Sequence, residues 1–570
     1  MINKQLLFLL VSSILSLSAF GQISQGGVPP SFSRPNTLRS ASPVTNIPVN
    51  LDVDRLIWED AIVERNGGPM RVAEVLPVDV DIHKTGNWST FSDSVKIWQE
   101  TIFAQGAKGL ILSYKDFYIP EGAKLFIYNE DHSEILGAYT RSTHPEGGSF
   151  ATEIISGEKI TLEYVSSATS SEQPRLVVED VGYIYNPRAV PGYKPTINLS
   201  APCMINVNCS QGANWQTQKR GVVLLIIKFN LRWSACSGSL INNTRRDGTP
   251  YILTANHCFV LDGVIDQSQM IAYFNYEFPG CQNETVFPET AKTLVGADIL
   301  VNAPIEETTG STTIRGSDGA LIKLRDNVPV EWKPFYNGWD RRNIAATSGV
   351  VIHHPYFDVK KIITYNRSLT SATYDDRIYD KDGNVIGGSL GANNASWKVQ
   401  YDGSSVTQLG SSGSPIFSQE GLILGALTGG ETRCDLLYGY DFYGKFSYHW
   451  DYLEGENRQI KKYLDPINEG NKTLKGYDPN YPSGLEPEIV DNSTKDIVIF
   501  PTMADNEINV NTSSIIRSIK IYDLAGRQIY TKSGYNASTA TIPVDGWQKG
   551  VYSVVIQADF GKLTEKFIKK

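Results

Sequence analysis

The sequence contains no Cys-x-x-Cys pair, only 7 histidines and 5 methionines, and few long helical patterns. After its first 21 residues, no apolar run approaches the ~18 residues a membrane-spanning helix needs. The first shortage leaves a structural zinc site without its usual ligand spacing. The last leaves no transmembrane segment in the mature chain. Positive charge is also scarce, with 52 Lys and Arg against 61 Asp and Glu, a net charge of −9. That balance argues against nucleic acid or an anionic membrane surface as partner and agrees with a cationic substrate. What the chain does have is 49 Gly, 28 Pro and 11% aromatic residues, which favours an all-β protein of short antiparallel strands. At 570 residues it exceeds one core, and about three or four domains are expected.

Met1 to Gly21 reads as a signal peptide: Lys4 supplies the charge, Leu6 to Leu17 the apolar stretch, and Ala19-Phe20-Gly21 a small-x-small cleavage site. Export implies an oxidising compartment, so the six cysteines, all between Cys203 and Cys434, read as three disulfides. Residues 22 to about 45 look like a leader without a core. From about 50, alternating runs such as Gly109–Tyr114 and Lys159–Val165 predict a β-sandwich, with His83, His132 and His144 as ordinary surface or packing residues. The Pro-dotted stretch Asn186–Ala201 separates it from the cysteine-bearing segment 197–466. A second linker, 467–495, precedes alternating strands over 496–570 that predict a small β-sandwich.

Chemistry concentrates in the central segment. Gln408-Leu409-Gly410-Ser411-Ser412-Gly413-Ser414-Pro415 places a serine in a tight glycine-flanked loop, where the N–H groups of Gly410 and Ser412 can converge on an oxyanion. Alone it reads equally well as a flexible surface loop. Thr254-Ala255-Asn256-His257-Cys258 supplies an imidazole, and Asp318, heading the apolar strand Gly319–Leu324, supplies a carboxylate to orient it. Asp298 competes for that last role but lacks the strand-end position. His353-His354-Pro355 could form a metal pair, but without an acidic or Cys partner at ligand spacing it reads as structural.

The order His257, Asp318, Ser412, with Ala235-Cys236-Ser237-Gly238-Ser239-Leu240-Ile241 and Gly410–Pro415, resembles trypsin/chymotrypsin-like serine proteases. Gly338-Trp339-Asp340-Arg341-Arg342, His353-His354-Pro355 and Asp441-Phe442-Tyr443-Gly444-Lys445 narrow the likeness to bacterial lysyl endopeptidases, over about Pro202 to Pro466. The resemblance implies a chymotrypsin-like double β-barrel, the triad His257, Asp318 and Ser412, and an oxyanion hole from Gly410 and Ser412. It also implies Asp441 as the anion that receives a substrate lysine, with Thr428 and Gly429 beside the substrate. Spacing permits 15 cysteine pairings; the resemblance selects Cys203–Cys434, Cys209–Cys281 and Cys236–Cys258. Two departures stand out. Ser411 replaces the Asp that trypsins carry before the nucleophile, so activation by a new amino terminus pairing there is not expected. Thr428 stands where relatives carry a His near the substrate.

Ile499-Phe500-Pro501, Ile521–Arg527 and Gly550–Val554 resemble the C-terminal sorting domain of the type IX secretion system. That likeness implies export through the outer membrane by that machinery, then release or surface attachment. The expectation is therefore a secreted serine endopeptidase that cuts protein or peptide substrates after Lys, without metal or cofactor. Its residues 22–196 would be a propeptide that blocks the cleft or assists folding. The alternatives are an inactive protease-fold adhesin and a protease of broader Arg/Lys specificity.

Overall fold

The run Val222–Ile227 is apolar at six successive positions, so its strand, Val222–Lys228, must be covered on both faces. The computed structural model shows by what. It describes residues 25–33, 42–66, 69–167, 170–186, 200–260, 263–283, 291–481, 497–500, 503–523, 527–558 and 561–570. The expected signal peptide, residues 187–199 of the first linker and residues 482–495 of the second lie outside them. Two compact units divide at Asn480.

Val223, Leu225 and Ile227 point into a β-barrel with Cys236, Ile252, Ala272 and Ile322. Seven strands build it, in the order 292–295, 271–274, 222–228, 232–240, 251–255, 319–324, 297–303. The two edge strands are separated in sequence by Gly296 alone, so the sheet has to curl and close. A second, ten-stranded sheet holds Gly349–His353, Pro415–Ser418, Ile423–Gly430 and Asp441–Lys445 around Val351, Trp397, Tyr401 and Tyr443. Leu253 and Leu321 of the first barrel share a further core with Val350, Phe417 and Trp450, which locks the barrels side by side. The architecture is chymotrypsin-like. All three disulfides form as the resemblance implied: Cys203–Cys434, Cys209–Cys281 and Cys236–Cys258.

The N-terminal segment is a sandwich of two sheets around Val80, Trp98, Leu112, Ile127 and Val181. Its first strand, Val44–Ile47, lies earlier than the expected start near 50. Nor is the leader wholly without contacts, since Phe32 packs on Phe126 and Tyr128, and Ser31 donates to the Glu163 carboxylate. A helix at Val53–Asn66 adds an element that the strand periodicity did not reveal. His83, His132 and His144 make local contacts, with Pro174, Phe32 and Phe150 respectively.

The protease fold also runs past 466. Strand Thr473–Leu474 pairs with Trp339–Asp340, and Tyr477 bridges Tyr336. Part of the expected linker is therefore barrel, held by backbone pairing that its polar composition hides. In the second unit a six-stranded sheet folds around Ile508, Ile519, Ile542, Val554 and Phe567. Residues 501–502 and 524–526 of its motifs lie outside the described residues.

Candidate active site

Strand pairing brings His257 and Asp318 together. Ala255 pairs with Gly319, so the turn after one strand faces the residue before the other. The Asn256 N–H donates to the Asp318 carbonyl, and the His257 N–H to Asp318 Oδ1 at 2.8 Å. His257 Nδ1 lies 2.7 Å from Asp318 Oδ2. An ionised carboxylate only accepts, so Nδ1 carries the ring proton and Nε2 is the basic nitrogen. Nε2 is buried and has no protein partner among the described residues. Burial pulls the His257 pKa down, but the Asp318 charge and hydrogen bond outweigh it and the net shift is upward. Asp318 itself is buried at φ +66°, a left-handed conformation that a strained functional turn can hold. Asp298 instead forms an exposed ion pair with Arg325, which removes it as a rival.

Ser412 sits in the loop before strand Pro415–Ser418, and it is held from the histidine side. The Ser237 N–H donates to the Ser412 carbonyl (2.7 Å), and the neighbouring Cys236 is bonded to Cys258, next to His257. Gly413 adopts φ +78°, and a Cβ there would lie 2.2 Å from Thr254 Oγ1 and 2.5 Å from the Ser237 carbonyl. Glycine is needed at 413 because the two barrels meet there.

The Leu409 carbonyl accepts from the Tyr356 N–H (2.6 Å), which turns the Gly410 N–H the other way. Likewise the Ser411 carbonyl accepts from Ser414, turning the Ser412 N–H outward. Among the described residues neither N–H has an acceptor, the condition of an open oxyanion hole. Ser237 Oγ donates to the Gly410 carbonyl (2.8 Å) and accepts from the His354 N–H (2.9 Å).

The two histidines of His353-His354-Pro355 do not form a metal pair. His353 Nδ1 bonds Ser411 Oγ at 2.7 Å, and His354 Nδ1 lies 3.0 Å from the Asp358 carbonyl. Burial draws His353 down to about 3 and His354 well below its usual range, so both are neutral props of the loop that carries Ser412. Among the described residues the one close His/Cys cluster, Cys236, His257 and Cys258, has its sulfurs in a disulfide.

Asp441 opens strand Asp441–Lys445 and is fully buried. Its Oδ2 accepts from Tyr401 OH (2.9 Å), Thr407 Oγ1 (2.5 Å) and Thr432 Oγ1 (2.8 Å), and its Oδ1 from the Thr432 N–H (3.2 Å). Among the described residues no cation pairs with it. Burial raises its pKa against the pull of these hydrogen bonds. A Cβ on the exposed Gly430 would lie 2.0 Å from Oδ1, so the carboxylate stands directly behind a glycine wall. Thr428 is buried, and a bulge between Leu427 and Gly429 breaks the register beside it. Tyr374, whose hydroxyl would lie 3.0 Å from a Cβ on Gly429, lines the same wall. Neither Tyr374 nor the threonine donors stood out in the sequence, because no local pattern marks a hydroxyl that acts across tens of residues.

A double barrel with a carboxylate-bound histidine at its seam, a glycine-flanked serine and two free loop N–H groups defines the chain as a serine endopeptidase. Residues 197–444 match the family described as lysyl endopeptidase, C-terminal domain. Residues 498–570 match the secretion system C-terminal sorting domain, which indicates export, with surface attachment or secretion. Among solved structures the chain is similar to the thermostable serine protease AL20 from an extremophilic microorganism. That match has 14% identity, covers 40% of this chain and 93% of that one, and has a TM-score of 0.27. A Glu endopeptidase matches at 16% identity, with 41% and 87% covered and a TM-score of 0.25. Protease Anisep from Arthrobacter nicotinovorans matches at 12% identity, with 40% and 92% covered and a TM-score of 0.26.

Proposed function

We propose that this enzyme hydrolyses peptide bonds on the carboxyl side of lysine, using Ser412 as nucleophile, His257 as general base and then acid, and Asp318 as its orienting partner. The Gly410 and Ser412 N–H groups stabilise the tetrahedral oxyanion. Asp441 receives the substrate ammonium past Gly429, Gly430 and Thr428. Residues 22–196 act as the propeptide, 197 to about 480 as the enzyme, and 496–570 as the sorting domain read by the type IX machinery.

One observation carries the lysine assignment: among the described residues Asp441 is buried without a cation, and Oδ1 accepts a single hydrogen bond behind a glycine. Oδ2 takes three donors and Oδ1 one, so Oδ1 is the oxygen that a compact ammonium can reach, whereas a guanidinium fork needs both oxygens. Leaving a buried charge unpaired costs on the order of 3–5 kcal/mol. The hydroxyl and N–H donors offset part of that cost, so discrimination against neutral side chains should be roughly hundredfold.

Two measurements test this. A fluorophosphonate probe should label the processed protein and not Ser412→Ala; no labelling would favour an inactive binding protein. Digestion of a mixed proteome should yield new termini after Lys. Equal cutting after Arg would favour the broader basic specificity.

A further inference from the structure

The strand Arg232–Leu240 is shared. Its second half, Ser239 and Leu240, pairs with Leu253 and Ile252 inside the first barrel. On the same edge its first half pairs with the N-terminal sandwich: Arg232 with Glu74, Trp233 with Ala73, Ser234 with Arg71, Ala235 with Met70. A single twelve-stranded sheet thus runs from the sandwich through the barrel wall.

Side chains repeat the pattern. Along Val222–Lys228 the odd positions fill the barrel, while Leu224 and Ile226 join Trp233 and Tyr273 on its outer face. There they pack in one core with Val72, Ile111, Ile154 and Ile184 of the sandwich. Gly182 makes room for the Trp233 indole, since a Cβ there would lie 2.9 Å from its Nε1. Polar groups cross the same boundary. Lys228 Nζ, almost wholly buried, pairs with Asp180 Oδ2 at 2.7 Å. Thr293 Oγ1 donates to Glu153 Oε1, and Gln269 Nε2 to the Tyr114 carbonyl. None of these bonds involves His257, Ser412 or Asp441.

We propose that the N-terminal sandwich is a resident subunit of the enzyme, which stays bound through the shared strand and outer-face core after the connecting segment is cut. Release would leave Arg232–Ala235 as an open sheet edge, expose an apolar patch centred on Trp233, and strand the Lys228 charge. A domain that only plugged the cleft would need none of these features. The shared core also contains Met70 and Leu409, so the sandwich backs the loop that aims the Gly410 N–H. This inference goes beyond the proposed lysine specificity and does not rest on it.

The test uses the full chain carrying Ser412→Ala, to prevent self-digestion, with a site for a sequence-specific endopeptidase inserted between Val190 and Pro191. After complete cutting, the two fragments should co-elute from gel filtration at about 1 µM and part only in denaturant. Amide hydrogen exchange at residues 232–235 should stay within about threefold of the uncut chain. Separate elution at that concentration overturns the proposal, and so does exchange at 232–235 that accelerates a hundredfold or more on cutting.

Discussion

His353 Nδ1 lies 2.7 Å from the hydroxyl of Ser411, the residue directly before the proposed nucleophile Ser412. Ser411 Oγ also accepts from the Gln408 N–H, so one buried hydroxyl ties the histidine to both ends of the oxyanion turn. In trypsins this place is organised by an Asp that waits for a new amino terminus. Here a neutral imidazole is already in place. Replacing His353 with Leu leaves the buried Ser411 hydroxyl with the Gln408 N–H but without its histidine partner, at about 1–3 kcal/mol. The expected result is a kcat lower by roughly tenfold to a hundredfold, with KM little changed. Steady-state kinetics on a Lys peptide reads the split; an unchanged kcat would show that the pair does not position the loop.

With His257 as the proposed general base, its upward shift should set the acid limb of activity. The neutral imidazole is the working form, so kcat/KM should fall as pH drops through a value above the ordinary 6.5 or so. The stability contribution runs the other way. A raised folded-state pKa stabilises the protein fully below the ordinary value, and that contribution is lost as pH rises through the raised one. Asp318→Asn should move the limb downward and lower kcat by roughly 10⁴, the size seen for the equivalent change in another Ser-His-Asp protease. A pH–rate profile that stays put in Asp318→Asn would contradict the pairing.

Asp441→Asn should abolish the preference for Lys while Ser412 remains reactive toward the fluorophosphonate, because only the anion is lost. Burial raises the Asp441 pKa, so the preference should also fade on acidification before the ordinary carboxylate range is reached. Proteome digests at several pH values measure both effects. Wild-type cutting after Lys by the Asn variant would place the anion elsewhere.

Groups that act as one unit give non-additive losses. His257→Ala and Ser412→Ala should each lower kcat by roughly 10⁴–10⁶, and the double variant should add little. Losses that multiply would separate the two residues mechanistically.

Much of the site was readable along the chain because its parts are local. A glycine-flanked serine, a His beside a Cys after a strand, and an Asp heading an apolar strand each carry their chemistry within a few residues. The β character of the two flanking segments also followed from strand periodicity, whereas the double barrel came from family likeness. The disulfide pairing came from family likeness, since spacing alone left it open.

Tertiary structure decided what depends on register across long separations. Thr407, Thr432 and Tyr401 reach Asp441 from 34, 9 and 40 residues away. Strand Thr473–Leu474 joins the barrel from within a polar stretch. The run Val222–Ile227 did say that both faces of its strand are buried, but not that the second cover is the N-terminal sandwich. Periodicity records how much of a strand leaves water. Which partner covers it is settled by backbone hydrogen bonding and shape across the folded chain, and neither is written in any local pattern.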